Sequence, residues 1–210
     1  PTTEGSPEEQ SIVEGALLEL SDFPSGWTQQ TAEDEGDEEQ EQEGQQEIAE
    51  CIGVDADRLY GKGASADSPT FVSPDDSEVS SAASLRESED DARFAIDTIA
   101  TDDALLCVAE QLQGLLEDEA PGEVDLGQVE IDRLSFAEFG DQTAAYRVTI
   151  PLGAQGMEID IHFDVVVVRI GRARVQVEAV STFSPFDTDQ LEELVGTAVG
   201  RLEEALANTP

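Results

Sequence analysis

The chain has 210 residues, of which 39% are hydrophobic, and carries 49 acidic side chains against 10 Lys and Arg. This length and apolar content suit one domain with a sizeable core. The formal net charge of −39 argues against nucleic acid and anionic membrane surfaces as partners, because both require a basic patch. We expect a linker over residues 1–7 and one monomeric domain over residues 8–208.

No apolar run approaches the roughly 20 residues of a membrane-spanning helix. The chain begins with Pro1 rather than Met, which favours a trimmed product whose leader or lipid anchor lies upstream. We therefore expect membrane association only through such an upstream anchor.

The first residues carry a strong helix start signal. Ser6 is a candidate N-cap, Pro7 stands at the first helical position, and Glu9 completes a capping box. The segment Asp22-Phe23-Pro24 ends the predicted helix, because a residue before proline avoids the helical region. The apolar stripe of this helix is Ile12, Val13, Ala16, Leu17 and Leu20.

Residues 31–46 are acidic and of low complexity, with eight carboxylates between Glu33 and Glu43. A calcium-binding loop would place Asp or Asn at alternating positions around a central Gly and would close with Glu. That register is absent. The pattern is typical of a solvated acidic loop that leads into a helix carrying Cys51.

Further helices are predicted in the middle and at the end of the chain. Ser88 and Asp91 start one helix, and Thr101 is a second N-cap within residues 92–119, so this region is one broken helix or two. The last helix starts at Asp187, paired with Gln190. Its apolar stripe is Leu191, Leu194, Val195, Ala198, Val199, Leu202 and Leu206.

Alternating apolar residues predict strands in the rest of the chain. The longest strand is "MEIDIHFDVVVVRI", which returns through Gly171 into "RARVQVEAVSTF". Three earlier strands are indicated by alternate residues that share one face. These residues are Val79, Ser81, Ala83 and Leu85 in the first, Val129 and Ile131 in the second, and Ala144, Tyr146, Val148, Ile150 and Leu152 in the third.

The long hairpin has a predicted register. A three-residue loop of Arg169, Ile170 and Gly171 places Val167 opposite Ala173, and it makes every following cross-strand pair apolar. The further pairs are Val165 with Val175, Phe163 with Val177, and Ile161 with Ala179. A two-residue turn is rejected because it would place apolar residues opposite Gln176 and Glu178.

These elements predict an α+β fold. An antiparallel sheet of about five strands would carry the N-terminal, central and C-terminal helices on its apolar face. We expect the other face to be mixed in charge and at least half solvated. That second face would carry Glu158, Asp160, His162, Asp164, Arg172, Arg174 and Glu178.

His162 is the only histidine, and the predicted register sets it opposite Glu178 and between Asp160 and Asp164. A carboxylate–histidine pair could act as a base in a hydrolase or as a weak metal site, but a surface histidine among carboxylates is the interpretation we favour. The chain has no Gly-x-Ser-x-Gly elbow, phosphate-binding loop or metal-ligand spacing. We expect no enzyme activity, no catalytic residues, no metal and no cofactor.

Arg147, Arg169, Arg172 and Arg174 are four of only ten basic residues. In so acidic a chain they could bind an anion together, but pairing with carboxylates across strands is the commoner arrangement. They bind an anion only if they converge on a pocket.

Trp27, the only tryptophan, lies in a Pro/Gly turn after the first helix. It either closes the end of the core or lines a cleft with Phe23, Tyr60 or Phe71. The candidate cleft residues are Trp27, Tyr60, Phe71, Tyr146, Arg147, Arg172 and Arg174.

Cys51 and Cys107 are the only cysteines, and each lies in an apolar, helix-like segment. Two cysteines in a secreted chain favour one disulfide. Two buried free thiols in a cytosolic chain are the alternative.

Five stretches occur in order along the chain: "ALLELSDFPSGWT", "AECIG", "ALLCVAEQL", "GDQTAAYRVTI" and "DVVVVRIGRARVQVEAV". Together they resemble a group of actinobacterial secreted lipoproteins and sensor domains, notably the extracellular sensor domain of mycobacterial receptor-type serine/threonine kinases. The resemblance covers nearly the whole chain after residue 8. It implies an α+β domain with a ligand cleft, a Cys51–Cys107 bond, and a Pro-x-Gly-Trp turn that belongs to the fold.

The resemblance also implies an extracytoplasmic, non-enzymatic role in binding or sensing an unidentified small molecule or envelope component. The kinase sensors have more cysteines, and no kinase or membrane segment is present here, so we expect a free-standing lipoprotein. The alternative is a scaffold or carrier that binds protein or lipid partners through its sheet or helix face.

Overall fold

The computed structural model describes residues 5–30, 38–61, 63–119, 124–154 and 157–208. Within these ranges the chain forms a single α+β domain in which six helices pack around one antiparallel sheet. The helices are α1 (Pro7–Gly15), α2 (Glu38–Ile52), α3 (Ala56–Tyr60), α4 (Glu89–Ile99), α5 (Asp102–Glu119) and α6 (Thr188–Ala207). The strands are β1 (Thr28–Gln30), β2 (Ser65–Asp67), β3 (Thr70–Val72), β4 (Glu78–Leu85), β5 (Val124–Leu126), β6 (Glu130–Arg133), β7 (Gln142–Ala154), β8 (Met157–Ile170) and β9 (Ala173–Thr182).

The α+β architecture is confirmed, but the predicted strand number is wrong, because the sheet has nine strands among the described residues. The strand order is β1-β3-β4-β9-β8-β7-β5, with β2 beside β4 and β6 beside β7. The strands that the sequence does not predict, β1, β2, β3 and β5, have three residues each. Three residues are too few for apolar alternation to identify a strand.

The predicted register of the long hairpin is wrong. Gly171 and Arg172 form a two-residue turn, with Ile170 opposite Ala173, so that Val165 lies opposite Glu178. Gly171 has a φ of 57°, which suits the first central position of a tight hairpin turn. None of the four predicted apolar pairs is present, since Val167 lies opposite Gln176, Phe163 opposite Val180 and Ile161 opposite Thr182.

The register error has a physical cause. Both faces of the sheet are covered by helices, so the run Val165–Val168 is apolar at every position rather than at alternate ones. In a strand that is buried on both sides, the sequence does not indicate which side chains face the main core and which face the opposite layer of helices. Matching apolar residues across the hairpin therefore could not select the register.

The main core lies on the face that α1 and α6 cover. The predicted stripe of α6 is buried as expected, with only Leu206 partly buried. From the sheet this core takes alternate residues of three central strands, and those strand residues include Val79, Ala83, Val166, Val168, Val175 and Val177.

Helix α1 begins where the sequence predicts. Ser6 Oγ accepts a hydrogen bond from the Glu9 N–H, and the Glu9 carboxylate accepts one from the Ser6 N–H. The helix ends at Gly15, however, earlier than predicted. Beyond it, the Leu18 N–H donates to Ser81 Oγ on β4 at 2.9 Å, which buries Leu18 and leaves Leu20 41% exposed.

The central helices also follow their predicted caps. Ser88 Oγ accepts from the Asp91 N–H at the start of α4, and Thr101 Oγ1 accepts from the Ala104 N–H at the start of α5. The region 92–119 therefore contains two helices, separated at Ala100 and Thr101.

Two buried serines of the same sheet face provide a matched test of how hydrogen bonding stabilises this core. Ser81→Ala should lower the free energy of unfolding by about 1–3 kcal/mol, because the buried Leu18 amide loses its partner. Ser181→Ala should lower it by far less, because Ser181 Oγ is buried without a hydrogen bond among the described residues. Urea unfolding followed by circular dichroism measures both changes, and equal losses would contradict the expectation.

Candidate ligand-binding cavity

A cavity of about 690 Å³ lies between the second face of the sheet and helices α2, α4 and α5. This volume falls within the roughly 300–1,000 Å³ of small-molecule sites. The floor comprises Ser80 and Ala82 of β4, Arg174, Gln176 and Glu178 of β9, Val165 and Val167 of β8, Tyr146 and Val148 of β7, and Ile131 of β6. The roof comprises Gln45, Ile48 and Ile52 of α2, Ile99 of α4, and Ala104, Leu105 and Val108 of α5.

The two central helices of the roof are covalently joined. Cys51 of α2 and Cys107 of α5 form a disulfide, the bond that the sequence resemblance implies. A small core of Ala49, Leu59 and Ala95 further packs α2 and α3 against α4. The disulfide and this core fix the helices of the roof relative to one another.

The floor of the cavity changes in polarity from one side to the other. Across β8, β7 and β6 it is apolar, and these residues pack with Ile96, Ile99 and Leu105 of the helices. Across β9 and β4 it is polar, with Arg174 in the row of β9 side chains. The cavity therefore has an apolar end and a polar end.

Arg174 and Tyr60 lie together at the polar end. Burial lowers the pKa of Arg174, while nearby Glu178, Asp67 and Tyr60 act in the opposite direction. Burial also raises the pKa of the Tyr60 hydroxyl, and the positive charge of Arg174 opposes that shift. Neither side chain makes a hydrogen bond or a close ion pair within the described part of the chain, so both can serve a ligand.

Three of the seven candidate cleft residues line this cavity, namely Tyr60, Tyr146 and Arg174. The Tyr146 hydroxyl also has a raised pKa because it is buried, and the charge of Arg133 works against this shift. The structure thus brings together the two tyrosines and one of the arginines that the sequence singles out.

The aromatic candidates near the first helix lie in the main core instead. Trp27 packs on Phe23 with ring centroids 4.6 Å apart, and it stands edge-to-face with Phe186, with centroids 6.4 Å apart. Phe71 also packs on Phe23, with ring centroids 4.6 Å apart. Of the two interpretations of Trp27, the structure shows the one in which it closes the end of the core.

The remaining arginine candidates are paired with carboxylates. Arg147 donates two hydrogen bonds of 2.6 Å to the buried Asp164, and Arg172 donates one of 2.7 Å to Glu9. Arg169 contacts Asp141 at 3.2 Å, close to the hairpin turn. These three arginines thus pair with carboxylates, which is the commoner of the two predicted arrangements.

His162 lies on the core face of the sheet, away from the cavity. Its predicted neighbour is wrong, because Ser181 rather than Glu178 stands opposite it. Its Nδ1 lies 3.3 Å from Thr149 Oγ1. The prediction of a solvated face is also wrong here, since His162 is 7% exposed and Asp164 is fully buried. The observed hairpin register places both residues on the core face. Arg174 and Glu178, which were predicted on the same face, line the cavity.

Sequence reasoning missed most of the apolar lining. The predicted register places Val165 and Val167 on the core face, and none of Ile48, Ile52 and Val108 is predicted as a site residue. The signal that could have indicated them is the four-valine run, because a strand that is apolar on both faces requires cover on both faces.

The acidic segment is partly helical. Helix α2 begins at Glu38, so residues 38–46 belong to a helix rather than to the predicted loop, and residues 31–37 lie outside the described residues. No group of three or more His, Cys, Asp or Glu in the described ranges is arranged to hold a metal ion. In the same ranges no helix has the length and apolar content needed to cross a membrane.

No protein family matches the chain, and no curated protein matches it. Among solved structures, the chain is similar to the extracellular domain of PknH from Mycobacterium tuberculosis, at 14% identity over 93% of this chain and 96% of that one, with a TM-score of 0.47. It is also similar to LpqN, involved in cell envelope biogenesis of the same organism, at 12% identity over 65% and 68% of the two chains and a TM-score of 0.29.

A further similar structure is PA94 from Pseudomonas aeruginosa, described as a protein of unknown function and putative regulator. It is 17% identical over 69% of this chain and 81% of that chain, with a TM-score of 0.23. The expected resemblance to extracellular domains of mycobacterial kinases and to envelope proteins is confirmed by the first two structures. The functional argument rests on the cavity itself.

Proposed function

We propose that this chain is an extracytoplasmic, non-enzymatic module that binds a small molecule or envelope component between the sheet and helices α2, α4 and α5. The observation that carries the proposal is the cavity of about 690 Å³, with an apolar end and a few converging polar groups. The module works as a monomer and needs no cofactor. Its role is to bind the ligand and not to convert it chemically.

The disulfide supports the extracytoplasmic part of the proposal. Cys51 and Cys107 are bonded to each other, and disulfides persist in oxidising compartments outside the cytosol. The strongly acidic composition suits the same setting, because net charge keeps an exported chain soluble and monomeric.

The scaffold alternative requires a contiguous apolar patch on the surface. The large apolar side chains that are exposed in the described residues are spread over four parts of the fold. They are Leu20 before the sheet, Leu106 and Leu115 on α5, Met157 at the start of β8, and Phe183 after β9. The cavity is therefore the better-supported binding site.

Filling the cavity tests the proposal. Ala82 lies in the floor on β4, and Ala82→Phe places a ring in the space that a ligand would occupy. The variant should weaken binding of the neutral fluorescent probe N-phenylnaphthylamine by about tenfold or more, a loss of about 1.4 kcal/mol or more. Fluorescence titration of the wild type and the variant gives the two dissociation constants.

Ala207→Phe is the matched control, because Ala207 is exposed near the end of α6 and distant in the fold from the cavity. It should bind the probe as the wild type does. Circular dichroism establishes whether Ala82→Phe is folded, and Val108→Trp in the roof provides a second way to fill the space. A folded, filled variant with unchanged probe affinity would refute the proposed site.

A further inference from the structure

We propose that the ligand is a single-chain amphiphile with an anionic headgroup, bound with the headgroup at Arg174 and the chain over the apolar floor. This inference rests on the proposed function, since it names the chemical class of the molecule that the cavity holds. It follows from how the chain uses its arginines, from the charges around Arg174, and from the polarity of the floor.

Arg174 is exceptional among the arginines. Each other arginine donates to, or forms an ion pair with, a carboxylate or a backbone carbonyl of the described chain, as Arg147 does with Asp164 and Arg201 with Asp22. Arg174 makes no such contact with any residue that the structure describes. Among the residues that the structure describes, Arg174 is thus the one arginine without a close acceptor, and its donors are open to the cavity that it lines.

The nearest carboxylates do not neutralise Arg174 by contact. Glu178 and Asp67 both favour its charged form, but neither lies within 4.0 Å of its nitrogen atoms, the limit for an ion pair. Glu178 instead accepts a hydrogen bond from the Gln176 side chain. A partly buried cation without hydrogen bonds is costly, and an anionic ligand group would supply both the charge and the acceptors.

A second buried cation strengthens the positive potential at this end. Arg86 is 3% exposed, and its guanidinium donates to the backbone carbonyls of Gly61 and Leu59 rather than to a carboxylate. Burial first, and the charge of Arg174 second, lower the pKa of Arg86 to about 10. The two charges act on each other, and an anion beside Arg174 would relieve their repulsion.

The rest of the cavity suits a hydrocarbon chain. From Arg174 the floor continues over Val165 and Val167 to Val148 and Ile131, under a roof that includes Ile52 and Val108. Residues on this path offer no charge, so it buries an alkyl chain and not a second polar group. The volume is that of a site for a drug-sized molecule, which favours one chain over two.

The headgroup chemistry required is a compact anion with two or more acceptor oxygens, which a carboxylate and a phosphate share. Displacement of N-phenylnaphthylamine by dodecanoate, dodecyl phosphate and dodecanol separates these cases, because the three share one alkyl chain. The wild type should bind the preferred anion about tenfold to a hundredfold more tightly than dodecanol. Whichever anion binds more tightly identifies the source as a fatty acid or a phosphate-headed lipid.

Arg174→Gln should reduce the ratio of anion affinity to dodecanol affinity to near one, whereas Arg174→Lys, which keeps the charge, should retain most of the preference. Arg93→Gln is the matched control, because Arg93 is an exposed arginine on α4 that pairs with Asp90. It should leave the ratio unchanged.

Equal wild-type affinity for dodecanol and both anions would overturn the inference, even if Arg174→Gln failed to fold. An unchanged ratio in a folded Arg174→Gln variant would overturn it as well. Either result leaves the proposed function intact provided that the neutral probe binds in the cavity. Failure of the probe and of all three dodecyl compounds to bind would refute both.

Discussion

Reduction of the Cys51–Cys107 disulfide is expected to lower the free energy of unfolding by about 4 kcal/mol. The two residues are 56 positions apart, and opening a loop of that length restores much conformational entropy to the unfolded chain. For a domain with typical stability, about 4 kcal/mol is a large share of the total. Urea unfolding with and without dithiothreitol measures the change.

The double variant Cys51→Ala/Cys107→Ala is the control for this experiment. It should show the lowered stability without any reductant and should not respond to dithiothreitol. Because the bond joins the α2 and α5 parts of the roof, the variant should also bind N-phenylnaphthylamine less tightly than the oxidised wild type. An unchanged urea unfolding midpoint of the wild type after addition of dithiothreitol would contradict the expectation.

Arg147→Met is expected to lower the free energy of unfolding by about 3–5 kcal/mol. Asp164 is fully buried on the core face, and the Arg147 guanidinium donates two hydrogen bonds of 2.6 Å to its carboxylate. Removing the arginine leaves a buried carboxylate without compensation, which costs far more than the pair itself contributes. Urea unfolding of the variant and the wild type gives the difference.

Two further variants separate the buried charge from general effects of losing an arginine. Arg147→Met/Asp164→Val removes both charges and should recover most of the lost stability. Arg93→Met breaks an exposed pair with Asp90 and should change stability by less than about 1 kcal/mol. A double variant that is as unstable as Arg147→Met alone would show that the unpaired carboxylate is not the cause.

Local signals in the sequence predicted much of the fold. The cap residues Ser6, Ser88 and Asp187 each begin a helix in the structure, because a cap depends on residues only three positions away. The apolar stripe of α6 and the buried face of β4 follow from periodicity alone, since each of these elements packs against the main core on one side.

What the sequence could not predict depends on contacts between distant segments. The register of β8 against β9 was lost because the valine run has no alternation, and the error placed His162 and Asp164 on the wrong face. The roof of the cavity was missed for a related reason. Helix α2 starts within an acidic segment of low complexity, where few apolar residues indicate which side it will bury.

The two covered faces of the sheet have different roles, since one forms the main core and the other forms the cavity. The large core under α1 and α6 supplies the cohesion of the domain, and the cavity uses the other face of the same strands. Because successive side chains of a strand point to opposite faces, residues such as Val165 and Val167 can change while Val166 and Val168 keep the core intact. Duplicated copies of such a gene could therefore diverge toward new ligands by substitutions on alternate strand positions, with the scaffold preserved throughout.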